Sequence, residues 1–360
     1  MSVIMLKDIA MPKEFEVSHK FTAQELEEDS RLFDQAKEAI LKHDALLIAH
    51  YYTHPTIQRL AEETGGFIGD SLEMARVGME SPKKTIVVAG VRFMGESAKI
   101  LSPEKTVLMP DMSAECSLDL CCKGSELKRM KEAHPNATVV AYANTSAEVK
   151  AMSDWIVTSS TAVELGKYLK ARGEEILWVP DRHLGGYIAD NSESTVYTWP
   201  GRCIVHDSFE AAAIAQQKKD MPDAKLLVHP ESPADVVALA DKVGSTSQLL
   251  AFTKTDSAKT YIVATERGIF YKMKQANPDK NFVEAAVAQR AEMPLENAEC
   301  PWMALNSLGK IISALESTGA ERDKHTIEVA DDVRVNALKP LDRLLRFAEA
   351  LKKGDLPNDL

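Results

Sequence analysis

Leu46-Leu47-Ile48-Ala49-His50-Tyr51-Tyr52 is the stretch that decides how this chain folds. Its four leading apolar residues suit a short strand buried on both faces of a parallel sheet. The run then ends in two polar residues two positions apart, His50 and Tyr52. The same design returns at Thr138-Val139-Val140-Ala141, followed by Tyr142 and Asn144, and at Leu226-Leu227-Val228, followed by His229 and Glu231. A recurrence at about 90 residues is an internal repeat, which settles the organisation before any site is read.

Working outward, each block continues in phase. A helical stretch follows each polar pair: Ile57 to Glu63, Ala147 to Met152, and Pro233 to Asp241. A small-residue hydroxyl motif comes next: Gly69-Asp70-Ser71-Leu72, Thr158-Ser159-Ser160-Thr161, and Gly244-Ser245-Thr246-Ser247. Another strand follows in each block, at Ile86 to Ala89, Ile176 to Val179 and Tyr261 to Ala264, and block one adds Val107 to Asp111. A cysteine then closes each block, at Cys116, Cys203 and Cys300, with helical sequence after it.

Strands alternating with helices imply βαβ units and parallel sheets. The expected fold is α/β: three similar αβα lobes with parallel sheets around a pseudo-threefold central site. The expected bounds are 1–125 for lobe 1, completed by 301–360, then 126–212 for lobe 2 and 213–300 for lobe 3. Leu341, Leu344, Leu345, Phe347, Ala348 and Leu351 predict a closing amphipathic helix, expected to pack on the first lobe. The first 30 residues read as an arm with one helix.

The chain has 360 residues, enough for two or three domains. Its formal charge of −11 argues against nucleic-acid binding, which needs a basic face. No apolar run reaches membrane-spanning length, and no secretory signal is read, so a cytoplasmic protein is expected. Five cysteines without an export signal make a disulfide framework a poor reading. Cys121 and Cys122 are adjacent on an apparent helix and read as buried small hydrophobes.

Cys116, Cys203 and Cys300 differ from that pair in sharing a phase. Thiols ahead of helices gain electrostatic help toward thiolate. Three thiolates suit zinc with a fourth ligand or an iron–sulfur cluster, and structural cysteines are the plainer alternative. Zinc sites usually draw on a local CxxC pair, which is missing here, so a cluster between lobes suits the spacing better. A four-iron cluster on three cysteines leaves one iron open to act as a Lewis acid.

Ligands of parallel α/β sheets bind beyond the carboxyl ends of the strands. His50, Tyr52, Tyr142, Asn144, His229 and Glu231 are all expected there, with His229 and Glu231 as an acid–base pair. The hydroxyl motifs read either as anion sockets at helix starts or as plain N-caps. Arg92, Arg182 and Arg267 also recur in phase, for anion binding or for surface ion pairs.

Together these residues resemble the quinolinate synthase family over most of the chain, from about His50 to Leu345. The carrying motifs include Gly90-Val91-Arg92-Phe93-Met94-Gly95-Glu96, Pro180-Asp181-Arg182-His183-Leu184-Gly185, Trp199-Pro200-Gly201-Arg202-Cys203, His229-Pro230-Glu231 and Cys300-Pro301-Trp302-Met303. The resemblance implies a four-iron, four-sulfur cluster on Cys116, Cys203 and Cys300. It implies condensation of iminoaspartate with dihydroxyacetone phosphate to quinolinate, with loss of phosphate and two waters. Tyr52, Tyr142, His229 and Glu231 would be catalytic. His50, Ser71, Asn144, Ser159, Ser245 and Thr246 would bind substrate. Functional coupling to an aspartate oxidase or dehydrogenase, which would supply iminoaspartate, is also implied. Some members carry extra cysteines just upstream of the last ligand; Pro294 and Asn297 stand there in this chain, which removes a disulfide switch.

Overall fold

A computed structural model describes residues 2–288 and 295–354. Pro294 therefore lies outside the described residues. The strands are β1 (Ser2–Met5), β2 (Ala45–His50), β3 (Phe67–Gly69), β4 (Thr85–Ala89), β5 (Thr106–Leu108), β6 (Thr138–Tyr142) and β7 (Trp155–Val157). They continue with β8 (Ile176–Val179), β9 (Thr195–Thr198), β10 (Lys225–Val228), β11 (Lys242–Val243), β12 (Thr260–Ala264) and β13 (Asn281–Glu284).

All sheet pairings are parallel. The strands form three sheets, in the orders β3-β2-β4-β5, β1-β9-β8-β6-β7 and β11-β10-β12-β13. Within each repeat the second strand flanks the first, and the third and fourth follow on its other side. The α/β class with three parallel sheets is thus as expected. The strand-end polar pairs stand at the carboxyl ends of the central strands β2, β6 and β10 because Leu46 to Ala49, Val139 to Ala141 and Leu226 to Val228 are buried. A parallel strand buried on both faces needs an unbroken apolar run, and the polar residues begin where that run ends.

The fourth strand is present in all three repeats rather than in block one alone. Thr195–Thr198 and Asn281–Glu284 carry too much polarity to show as buried runs. The short strands β3, β7 and β11 also lie below what an apolar run reveals. The N-terminal arm holds its helix, Ala23–Ser30, capped by Thr22 in a capping box with Glu25. It also contributes β1, an edge strand beside β9 with all four residues exposed.

The chain divides into two compact units. One comprises Met1–Pro12, Ser117–Cys203 and Val329–Leu360; the other comprises Lys13–Cys116 and Ile204–Glu328. In the first unit the closing helix, Asp331–Lys353, packs on the helix Ala147–Ala151 and on β7. This corrects the expectation that it would pack on the first lobe. Phe347 is buried there and meets Trp155 edge-on, with ring centroids 5.7 Å apart. In the second unit, the helix Leu308–Glu316 buries Leu308, Ile311 and Leu315 against Ile40 and Leu47, so part of the C-terminal region does complete the first sheet's core. No helix among the described residues is long and apolar enough to cross a membrane.

Candidate functional site

The loops after β2 and β6 are built to one plan. In the second unit, Thr53 Oγ1 donates to the His50 carbonyl at 2.9 Å, and Gln58 Nε2 donates to the carbonyls of Tyr51 and Thr53 at 2.9 and 2.8 Å. In the first unit, Thr145 Oγ1 donates to the Tyr142 carbonyl at 2.9 Å. There Lys150, wholly buried, takes the place of Gln58 and donates to the carbonyls of Ala143 and Thr145. A buried loop carbonyl is costly without a donor, so these side chains hold the polar pairs still.

The second unit gathers most of the chemistry. His50 and His229 stand at matching positions, and each Nδ1 accepts from the backbone amide two residues on, Tyr52 N at 3.2 Å and Glu231 N at 3.4 Å. An accepting Nδ1 carries no proton, which leaves the Nε2–H tautomer. Burial pushes both imidazoles down to about 3; the nearby His206 adds to the effect at His229, while Glu231 opposes it at both. Both rings are therefore neutral donors near neutral pH.

Tyr52 Oη lies 2.6 Å from Thr246 Oγ1 and 2.9 Å from Thr265 Oγ1. Burial holds its phenol well above the usual tyrosine range, against the lowering effect of those hydroxyls. Thr265 Oγ1 is in turn 2.9 Å from His206 Nε2, and His206 Nδ1 is 3.2 Å from Glu231 Oε2. His206 stacks on His229 with centroids 4.5 Å apart. Glu231, His206, Thr265 and Thr246, all buried, and the half-buried Tyr52 thus form one polar chain, able to hold or pass a proton.

Sequence reasoning named His50, Tyr52, His229, Glu231 and Thr246 of this group and missed His206 and Thr265. His206 follows Cys203 by three residues and interrupts an apolar Ile204-Val205 step, which was the available clue. Thr265 follows β12 directly, where the matching strands are followed by Gly90 and Pro180, so repetition hid it.

The hydroxyl motifs divide in function. Asp70 and Ser245 are the N-caps of the helices Ser71–Glu80 and Thr246–Thr255. Ser245 is engaged in a capping box with Gln248, so its hydroxyl does the plainer job. Ser71 and Thr246, one residue later, are the first helical residues. In addition, Ser247 Oγ donates to Asp70 Oδ2 at 2.6 Å, joining the two helix starts. In the first unit, Tyr142 stacks on Trp178 at 6.2 Å, and Asn144 and Ser159 are half-buried in the loops after β6 and β7.

The three cysteines share one backbone device. The amides of Arg92, Arg182 and Arg267 donate to the carbonyls of Ala114, Gly201 and Ala298 at 2.7, 2.8 and 2.8 Å. Each carbonyl belongs to the residue two before a cysteine, so Cys116, Cys203 and Cys300 leave their loops at equivalent points. All three are partly exposed. The side chains of Arg92 and Arg267 make ion pairs, with Glu96 and Glu115 at 3.5 and 3.6 Å and with Glu284 at 3.6 Å, as the plainer alternative expected.

The structure corrects the helix-dipole argument. Cys116 precedes a four-residue helix, Ser117–Leu120, and Cys203 and Cys300 precede only the short turns His206–Ser208 and Met303–Leu305. Such turns align few peptide dipoles. Burial pushes the Cys300 thiol up to about 12, so a thiolate there calls for a cation. Cys121 and Cys122 lie just after the short helix, buried, with thiols raised by desolvation. The donor set fits an iron–sulfur group on this chemistry: three partly exposed sulfurs in equivalent settings, and none of the five cysteines in a disulfide.

A family model described as Quinolinate synthetase A protein (NadA) matches residues 34–346, and the chain belongs to that family.

Proposed function

We propose that this chain is a quinolinate synthase that condenses iminoaspartate with dihydroxyacetone phosphate, releasing phosphate and two waters. Family membership implies the synthase activity and a place in NAD biosynthesis. The observation that carries the residue assignments is the polar chain from Glu231 through His206 and Thr265 to Tyr52 and Thr246. A condensation followed by dehydrations moves several protons and needs no net oxidation, and a largely buried acid–base array meets that demand.

In this reading Cys116, Cys203 and Cys300 hold a four-iron, four-sulfur cluster. When bound, its open iron supplies Lewis acidity toward a substrate oxygen. Tyr52, Tyr142, His229 and Glu231 orient the reacting groups and hold or accept protons. The neutral His50 and His229 donate through Nε2 to substrate oxygens. Ser71, Ser159, Ser245 and Thr246 are assigned to the carboxylates and the phosphate, and Asn144 to orientation; Ser71 and Thr246 are the better placed, being first residues of their helices. The proposed compartment is the cytoplasm, with iminoaspartate supplied by an aspartate oxidase or dehydrogenase.

Anaerobic purification with iron and sulfide analysis, followed by a quinolinate assay with each substrate omitted in turn, tests the reading. Quinolinate formed only with both substrates, by protein containing about four irons per chain, is expected. Iron-free protein that forms quinolinate at the same rate would overturn the cluster assignment.

A further inference from the structure

Cys300 reaches its place by a longer route than the other two cysteines. Sixteen positions separate it from the end of β13, against eight from β5 to Cys116 and five from β9 to Cys203. A longer connection has more conformational freedom to lose when its end is fixed. The third repeat adds side-chain anchors at this point. Glu266, 1% exposed, accepts from the Cys300 amide at 3.1 Å through Oε1 and from the Gly268 amide at 2.7 Å through Oε2. Glu284 Oε1 accepts from the Ala298 amide.

The matching residues of the other repeats differ in what they are shown to do. Val91 makes no side-chain cap, and Asp181 caps the amide of Leu184 in its own helix. Gly268 carries the anchor onward. Its carbonyl accepts from Gln58 Nε2 at 3.0 Å, and an added Cβ would stand 2.8 Å from both the Tyr51 carbonyl oxygen and the Tyr52 Cα. One buried carboxyl group therefore spans the backbone that bears Cys300 and the backbone packed against the Tyr51-Tyr52 loop.

We propose that Glu266 is a positioning residue that fixes the Cys300 sulfur relative to the Tyr52 loop, so that the last cysteine is pre-set to hold its metal centre. The purpose rests on the cluster reading above; the anchor itself does not. Groups that orient a ligand from behind typically change metal retention by about 10- to 100-fold when removed.

The test uses the full chain, reconstituted anaerobically with iron and sulfide and then challenged with a chelator, following the loss of visible absorbance. Glu266→Ala is expected to lose its iron at least about 10-fold faster than wild type. In the metal-free protein, its peptide containing Cys300 is expected to exchange amide hydrogens faster. Wild-type rates in both measurements, with an unchanged melting temperature, overturn the proposal. Should the alanine variant fail to fold, Glu266→Gln decides by the same readings, since it keeps the volume but only one acceptor oxygen. A wild-type chain that takes up no iron defeats the cluster reading instead, and the exchange measurement then still decides the anchor.

Discussion

Tyr52 Oη stands 2.6 Å from Thr246 Oγ1, so a strand-end loop of one sheet and a helix start of another share a hydrogen bond. The bond lies at the end of the chain of polar groups that begins at Glu231. Tyr52→Phe removes the phenol oxygen and keeps the ring against His50, whose centroid is 4.4 Å away. We expect kcat to fall by roughly 10²- to 10⁴-fold, the usual worth of a positioned acid or base. Steady-state quinolinate formation checks this, and a variant within twofold of wild type would remove Tyr52 from the catalytic group.

Thr265 is the link that links Tyr52 to His206. Thr265→Val keeps the shape and deletes the hydroxyl, leaving both neighbours without that partner. If the hydroxyls and the imidazole act as a unit, the effects of Thr265→Val and Tyr52→Phe on kcat will be strongly non-additive, as for other groups that work together. A double-mutant cycle measures it. Additive losses would mean that Thr265 only packs beside the tyrosine.

Much of this arrangement was legible because the repeat places equivalent residues in equivalent loops. Leu46 to Tyr52 announced a buried parallel strand and its polar end, and the recurrences at Val139 and Leu226 confirmed the period. What escaped notice falls outside those regularities. Thr195–Thr198 and Asn281–Glu284 form strands through backbone pairing that their mixed polarity does not advertise. The closing helix shows an apolar face in its spacing, but spacing does not say which surface covers it; the helix Ala147–Ala151 and β7 do. His206 and Thr265 each occur once, so no repeat could reveal them.

Acid will test the buried imidazoles of His50 and His229. His50 and His229 are pushed to about 3 in the fold, from an ordinary value of 6.5. Between these values the unfolded chain binds more protons than the folded one, so stability is complete above about pH 6.5 and is lost as pH falls toward 3. One unit below the unfolded value, each histidine removes roughly 1.4 kcal/mol. Urea unfolding at about pH 7.5 and pH 5.5 measures the loss, and His50→Gln should lessen it by about one histidine's share. The same pH dependence in that variant would assign the effect to other groups.

Lys150 offers a test of the loop plan that is independent of catalysis. It does in the first unit what Gln58 does in the second, donating to two loop carbonyls from full burial. Lys150→Met keeps the apolar stem, strands the carbonyl of Thr145 and takes one donor from that of Ala143, which keeps the Thr145 amide at 2.9 Å. We expect a loss of about 2–4 kcal/mol, from one stranded acceptor at roughly 1–3 kcal/mol and one lost hydrogen bond at roughly 1 kcal/mol. Lys150→Gln copies the other loop and should recover about half or more of it. Glutamine no better than methionine in urea unfolding would mean that the two loops are not held alike.

Five cysteines divide into two chemical classes, and substitution separates them. Cys116, Cys203 and Cys300 are partly exposed, each two residues beyond a carbonyl held by an arginine amide. Cys121 and Cys122 are buried and lie outside that repeated position, just after the short helix Ser117–Leu120. Serine at any one of the first three removes a sulfur donor and should leave the chain with little iron and no quinolinate formation. Alanine at Cys121 or Cys122 should retain about four irons per chain, at a stability cost of about 1 kcal/mol for the lost packing. Iron and sulfide analysis of the five variants gives the answer directly. Full iron loading of the Cys203→Ser protein would break the assignment of one sulfur to each repeat, because the remaining two ligand cysteines would then suffice without it.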